Sequence, residues 1–405
     1  MQKKPVSVGE LQFGMYIAEL DRPWTETPFM FQGFYLRTDP QLQALRKLCK
    51  QVFIDVARSG AHAMARPAGQ APSSTAPGFR TNGTASYPDQ TGVEKEIQVS
   101  SGLYAQALKA LRELLQPFER GAAALDGQAV HDAVRGFAAS VVRNPDALLL
   151  MSKMRDTSVT AHARALQVSI YMMVFGRFLQ LERDQIQLLG LLGLLQDIGK
   201  TRLPGALLEK QDLTHEEGEI LKKHVELSAH ILGVTSGLPP KFAALALLHH
   251  ERQDGTGYPR GLKGYQIGLY GSIAAICDAY DALLAPPPHG EGRSPSAAVN
   301  LLLKDRGTAF HGPLVEQFIR CVGAFPVGTA VELNSGEVGI VIAENPMQRL
   351  KPKVVLMLDR AGKPIVSRRI VDLATNPVME GGEPYRMRRS LEQGKLQFDP
   401  RRLFS

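Results

Sequence analysis

Cysteine is scarce in this chain: 405 residues hold three, Cys49, Cys277 and Cys321, with no pair at metal-knuckle spacing. That excludes a disulfide scaffold and a zinc ribbon, and it predicts a protein working in the reducing cytoplasm. Cys277, beside Asp278 in an apolar run, reads as small core filler. Tryptophan occurs once, as Trp24, and aromatic residues make up 7% of the chain. No apolar run reaches about 18 residues without a charge, so no membrane span is expected. The opening residues, MQKKPVSVGE, lack the apolar core of a secretion signal. A strong charge imbalance is missing too: 47 basic against 40 acidic residues give a net charge of +7. Some of the excess gathers near the C-terminus, at Arg386, Arg388, Arg389, Lys395, Arg401 and Arg402, which read as a solvated basic tail. Without interleaved aromatics they make no nucleic-acid stripe, so no nucleic-acid polymer is expected as a partner. The excess would still favour encounter with a small anion.

What the chain does have is helical apolar periodicity, framed by two β-rich ends. Residues 1–57 alternate apolar and polar positions around one helical stretch (Leu42, Leu45, Leu48) and read as a small α+β domain. Residues 58–92 are rich in Ala, Pro, Gly, Ser and Thr. They cannot bury enough apolar area to offset the entropy of ordering, so a flexible linker is expected. Residues 93–145 carry two helical patterns (Leu103, Leu111, Leu115; then Val130, Val134, Phe137). These are expected to pack on the following core or on a second copy of the chain, as in a homodimer. Residues 146–324 are helical throughout, apart from a glycine-rich loop and a proline-rich one. Residues 325–405 change to short β runs at 330–333, 338–342, 353–358 and 364–366, with Asn334-Ser-Gly-Glu as the first hairpin turn. The fold class is therefore mainly α, with a small α+β N-terminal domain and a β-rich C-terminal extension.

The most informative stretch is His-His-Glu-Arg-Gln-Asp-Gly-Thr-Gly-Tyr-Pro-Arg-Gly-Leu-Lys-Gly, residues 249–264. Adjacent residues leave a helix about 100° apart, so His249 and His250 can face one ion only where the backbone bends. A helix end running into Gly255 and Gly257 supplies such a bend. Three other pieces belong with it. Leu-Leu-Gln-Asp-Ile-Gly-Lys (194–200) closes an apolar run with Gln196, Asp197 and Lys200. His224 sits on a helical pattern. Ile-Cys-Asp-Ala-Tyr-Asp (276–281) places Asp278 and Asp281 one helical turn apart. Imidazole mixed with carboxylate suits Fe, Mn, Zn or Ni, and paired sites of this kind activate water for phosphoester cleavage. A buried Asp or His in an apolar helix is costly unless it is paired or metal-bound.

These residues, in this order, resemble an HD-GYP domain, the bacterial branch of the HD phosphohydrolases that degrades cyclic di-GMP. The match runs from Gln-Asp-Ile-Gly-Lys through His224, His-His-Glu with Asp-Gly-Thr-Gly-Tyr-Pro, and Asp278-Ala-Tyr-Asp, to Gly-Glu-Val-Gly-Ile-Val (336–341). Residues 5–56 resemble the small domain of unknown function that often precedes such modules. The resemblance implies an all-helical HD-type domain and at most two divalent ions, Fe or Mn. Asp197, His224, His249, His250 and Asp278 would be the metal ligands, with Gln196 as a weak one. It makes Asp197 and Lys200 catalytic. It also lines the substrate site with Lys200, Gly255, Gly257, Tyr258, Pro259 and Asp281, and makes pGpG or GMP the product.

The departures from the family pattern are specific. The name-giving His-Asp doublet is Gln196-Asp197, and a neutral amide rarely replaces imidazole at a transition metal. His162 matches the first His of the domain, but Ser158 stands where members with a third metal carry Glu. Pro287 and Gly290 occupy the positions of the basic Arg-Pro-Tyr-Arg segment that holds phosphate, with Arg293 the nearest cation. Ser228 replaces a usual Gly. The resemblance thus implies a cyclic di-GMP phosphodiesterase of weakened or lost activity. It leaves two rivals open: an inactive cyclic di-GMP receptor, and an interaction module that docks a diguanylate cyclase or another signalling protein.

Overall fold

The computed structural model describes residues 3–22, 34–36, 39–55, 82–119, 127–152, 161–210, 212–285, 293–345, 348 and 350–391. Strands β1 (Lys3–Ser7), β2 (Tyr16–Leu20), β3 (Phe34–Tyr35) and β4 (Gln51–Asp55) form an antiparallel sheet in the order β1-β4-β2-β3. Helix α1 (Asp39–Leu48) packs with it through Leu42 and Leu45, whose spacing puts them on one face; Ile17, Leu20, Val52 and Ile54 complete a small separate core. Trp24 lies outside the described residues.

The expected linker, 58–92, falls outside the described residues as far as residue 81. Its last part is held in place. Gly83 and Ala85 donate backbone N–H bonds to the Leu179 and Gln180 carbonyls, and the Tyr87 hydroxyl donates to the Leu181 carbonyl at 2.8 Å. Arg177 closes the contact with a 2.6 Å bond to Asp89. Low apolar content did not prevent ordering here, because polar and backbone groups found partners.

Helices α2 (Val93–Glu119) and α3 (Gly127–Arg143) share one buried cluster with α4 (Pro145–Ser152), α5 (Ala161–Phe178) and α6 (Arg183–Leu195). The two connector helices are thus part of the main core. Arg143 clamps Glu96 through bonds of 3.0 and 2.7 Å, which ties α3 to the start of α2. Helices α5 and α6 approach closely because α6 carries glycine at the contact. A Cβ on Gly193 would lie 2.7 Å from the Ser169 Cα. The Ser169 hydroxyl donates to the Gly190 carbonyl across the same contact at 2.7 Å.

Beyond α6 the chain makes a 3-10 turn, Ile198–Arg202, then α7 (Gly205–Glu209), α8 (His215–Lys222), α9 (His224–Val234), α10 (Phe242–Ala246), α11 (Gly268–Leu284), α12 (Pro295–Lys304) and α13 (Gly312–Val322). Helix α8 starts with a capping box: the Glu217 N–H donates to the Thr214 hydroxyl, and the Thr214 N–H donates to the Glu217 carboxylate. The segment Gly264–Leu284 is long and apolar enough to span a membrane by composition, but 67% of that window is buried inside the protein. It is the central core helix.

Strands β5 (Ala330–Leu333), β6 (Val338–Ala343), β7 (Lys353–Leu358), β8 (Pro364–Asp372) and β9 (Met387–Ser390) form an antiparallel sheet ordered β8-β7-β6-β5-β9. Asn334-Ser-Gly-Glu is the β5–β6 turn, with Gly336 at φ 83°. Alternate residues of β6 face two cores: Ile340 and Ile342 join the helical cluster, and Val341 joins the sheet's own. The basic stretch near the C-terminus is not simply solvated. Arg388 and Arg389 lie on β9, and both bind the Glu332 carboxylate of β5, at 2.6 and 2.7 Å.

Packing is close where the 3-10 turn meets α9. A Cβ on Gly199 would overlap the His224 carbonyl and sit 2.5 Å from the Ser228 nitrogen. The Gly199 N–H itself donates to the Ser228 hydroxyl at 2.8 Å. Gly199→Ala should therefore cost about 1–3 kcal/mol, the usual cost of overpacking. In thermal unfolding this appears as a Tm lower by about 2–4 °C for each kcal/mol. Gly218→Ala, where an added Cβ meets nothing within 4 Å, should leave Tm unchanged or raise it.

Candidate metal centre

Four side chains from separate segments converge. Asp197 follows α6, His224 opens α9, and His249 and His250 occupy the turn after α10. Their ligand atoms all lie within 4.8 Å of one another. His224 and His249 are fully buried, at 1% and 0% exposure. The Gly199 packing brings the first two together, because it seats the turn carrying Asp197 against the α9 terminus.

The hydrogen bonds fix which ring nitrogens face the centre. The His224 Nδ1 donates to the Leu221 carbonyl at 2.6 Å, and the His249 Nδ1 donates to the Ala246 carbonyl at 2.8 Å. A carbonyl can only accept, so both Nε2 atoms are left with lone pairs in the neutral imidazoles. Both point at Asp197 Oδ1, at 3.2 and 3.4 Å, without an aligned hydrogen bond. The other oxygen, Oδ2, accepts from the Lys200 ammonium at 2.7 Å. Burial would raise the Asp197 pKa, but the Lys200 ammonium beside it holds it well below the usual carboxylate range. Burial pushes the His250 pKa far below the ordinary imidazole value, so that ring is neutral.

Three acceptor atoms facing one space repel unless a cation lies among them. Donors about 2.0–2.2 Å from a shared divalent ion lie about 3.0–3.4 Å apart along the edges of the coordination shell. The separations of 3.2 and 3.4 Å match that spacing, and the carbonyl bonds behind each imidazole are the usual supports of a metal-ligating His. The residues fit a divalent ion.

The glycine-rich loop is built around the histidine turn. Buried Glu251 accepts from the Arg260 and Leu262 N–H groups, both at 2.8 Å, which folds the loop back on itself. Gly257 packs under the turn, where a Cβ would lie 2.5 Å from the His250 carbonyl oxygen and from the Glu251 Cα. Gly255 has φ 84°, a left-handed conformation that favours glycine. The Tyr258 N–H donates to the His250 carbonyl at 3.2 Å, and its ring stacks on His250 with centroids 4.7 Å apart. The Tyr258–Pro259 bond is cis. The Lys222 ammonium sits 5.5 Å from the Tyr258 ring centroid. Asp254 is a turn residue that binds Thr256.

The other sequence candidates are not among the four. Gln196 is buried beside Asp197, with neither amide atom hydrogen-bonded. Asp278 and Asp281, on α11, flank the guanidinium of Arg164 on α5, at 3.7 and 3.2 Å. His162 lies in the first turn of α5, half-buried. Arg293 is exposed just before α12. Ser158, Pro287 and Gly290 lie outside the described residues. Sequence reasoning passed over Glu251 as a positioning group and missed Arg164. The signal for Arg164 was a cation two residues after His162, at the start of a largely apolar helix.

Comparison with known proteins gives three family matches along the chain. Residues 3–124 match a domain of unknown function (DUF3391), 148–314 match an HD domain, and 330–379 match a KOW domain associated with HD domain. The first match runs past the small α+β domain and takes in α2. A cyclic di-GMP phosphodiesterase of Pseudomonas aeruginosa is 31% identical over 373 residues, which is 91% of this chain and 89% of that protein. A cyclic di-GMP phosphodiesterase response regulator of Xanthomonas campestris is 35% identical over 35% of this chain and 38% of its own length. A solved structure of an HDGYP protein from Bdellovibrio bacteriovorus covers 78% of this chain and 98% of its own, with 16% identity and a TM-score of 0.46. Likeness to the Pseudomonas protein along nearly the whole of both chains, with an HD domain across the four converging residues, means that this chain belongs to the HD-GYP family.

Proposed function

We propose that the chain is a metal-dependent phosphodiesterase of cyclic di-GMP, yielding pGpG or GMP and running slowly. The observation that carries this reading is the set of facing acceptors, Asp197 Oδ1 with the Nε2 atoms of His224 and His249. With neutral imidazoles all three atoms are acceptors, which a structural polar cluster would pair with donors. The names of the curated relatives supply the substrate class.

Asp197, His224, His249 and His250 would hold the ion, with Fe or Mn suited to the nitrogen and oxygen donors. Such an ion, when bound, lowers the pKa of water and neutralises charge on a phosphoryl group. The protein's own groups do the rest. Lys200 keeps Asp197 ionised and aims Oδ1 at the imidazoles; its ammonium lies beside the space where phosphoryl charge would develop. Tyr258, backed by His250 and Lys222, offers an aromatic face to a guanine base. The loop tied by Glu251 covers one side of the centre. Slowness is expected because Gln196 replaces an imidazole donor and because Pro287 and Gly290 replace phosphate-holding cations.

Two results follow. With Mn supplied, cyclic di-GMP hydrolysis should be about 30- to 1000-fold slower than in a family member that keeps the doublet His and the basic segment, the cost of losing transition-state charge stabilisation. A turnover equal to such a member, measured by chromatography of the nucleotide products, would contradict the reading. Gln196→His should tighten the hold on Mn and raise the rate. Added Mn should also raise the Tm of the wild type, because a ligand that binds only the folded state stabilises it. The double variant His249→Ala, His250→Ala should lose that rise. If metal and nucleotide leave the Tm of both proteins unchanged, the interaction-module reading takes over.

A further inference from the structure

In the binuclear sites that the family resemblance implies, Asp278 would be a metal ligand. In this chain it already has a cation. Arg164 enters from the first turn of α5, with its side chain 31% exposed, and meets Asp278 at 3.7 Å and Asp281 at 3.2 Å. Both carboxylates are buried, at 7% exposure, one helical turn apart on α11. That spacing makes a two-toothed seat for one guanidinium. A second divalent ion at Asp278 would have to displace Arg164 or share a carboxylate with it. Displacement would leave a largely buried guanidinium unpaired, which is strongly unfavourable. Sharing would set like charges against each other.

In this seat the Arg164 Nε faces Asp281 and one Nη faces Asp278. The buried Nε makes no aligned hydrogen bond, so its contact with Asp281 is an ion pair only. The three carboxylates Asp278, Asp281 and Asp197 all act on the guanidinium to favour its charged form, in that order of strength. The charge of Arg164 is thus felt at Asp197, one member of the four-residue cluster. A guanidinium presents a planar fork of donors that matches a phosphate, and it never loses its charge at neutral pH.

We infer that the centre holds a single divalent ion, on Asp197, His224, His249 and His250, and that Arg164, seated by Asp278 and Asp281, takes the place of a second ion and binds a non-bridging phosphate oxygen of the nucleotide. The metal count stands on the geometry alone; the phosphate contact rests on the phosphodiesterase reading.

The test counts metal and measures binding on the full chain. Wild type loaded with excess Mn and desalted should retain about one ion per chain by elemental analysis, the number this site can hold by donor set. Asp278→Asn should leave that count unchanged, because Asp278 is not a ligand here. Arg164→Ala should open the Asp278–Asp281 seat to a second, weaker ion. It should also weaken cyclic di-GMP binding by about 10- to 100-fold, the loss expected for a charged hydrogen bond. Arg164→Lys should keep the count at one and recover part of the affinity. Two ions on the wild type, with one lost in Asp278→Asn, would overturn the inference and leave the phosphodiesterase reading intact. No ion on the wild type would overturn both. Unchanged nucleotide affinity in Arg164→Ala would overturn the phosphate contact. If Arg164→Ala does not fold, the Asp278→Asn count and the Arg164→Lys affinity decide the matter, unchanged affinity in the latter again counting against the contact.

Discussion

The carboxylate of Asp197 is the constraint around which the centre is arranged. Its two oxygens meet different environments: Oδ2 lies against an ammonium, and Oδ1 lies against two imidazole lone pairs. Neither would be stable alone in a largely buried position. The 3-10 turn after α6, the glycine that lets it press on α9, and the carbonyls that orient both rings all serve this one juxtaposition. Close packing of α5 on α6 through Gly190 and Gly193 fixes the height of the turn, so the core helices and the charged centre are parts of one structure.

Much of this was legible in the sequence. Apolar residues at helical spacing marked the helices, and alternation marked the strands, because each period reports which face is buried. Asp197, His224, His249 and His250 stood out because each is a polar residue at the edge of an apolar run, where burial without a partner would be costly. The hairpin turn at residues 334–337 was legible because Gly336 supplies a left-handed backbone.

Other features depend on contacts distant in sequence, which local patterns do not encode. Arg164 lies more than a hundred residues from the carboxylates that seat it. Glu251 spends both oxygens on backbone N–H groups nine and eleven residues further along its own loop. Residues 82–92 look like linker by composition but are held by carbonyls at the end of α5 and by Arg177. Arg388 and Arg389 looked like a solvated tail because Glu332, their common partner, is far away in sequence.

The stacking of Tyr258 on His250 has a thermodynamic corollary. The tyrosine belongs to the loop and the histidine to the cluster, yet the two share a ring contact and a backbone hydrogen bond. Anything that presses on the tyrosine face therefore bears directly on a ligand of the centre. Linkage is reciprocal: whatever factor an ion contributes to the hold on a base, the base returns to the hold on the ion. On the proposed function, metal and nucleotide are coupled through this contact, so the supply of one shifts the apparent affinity for the other.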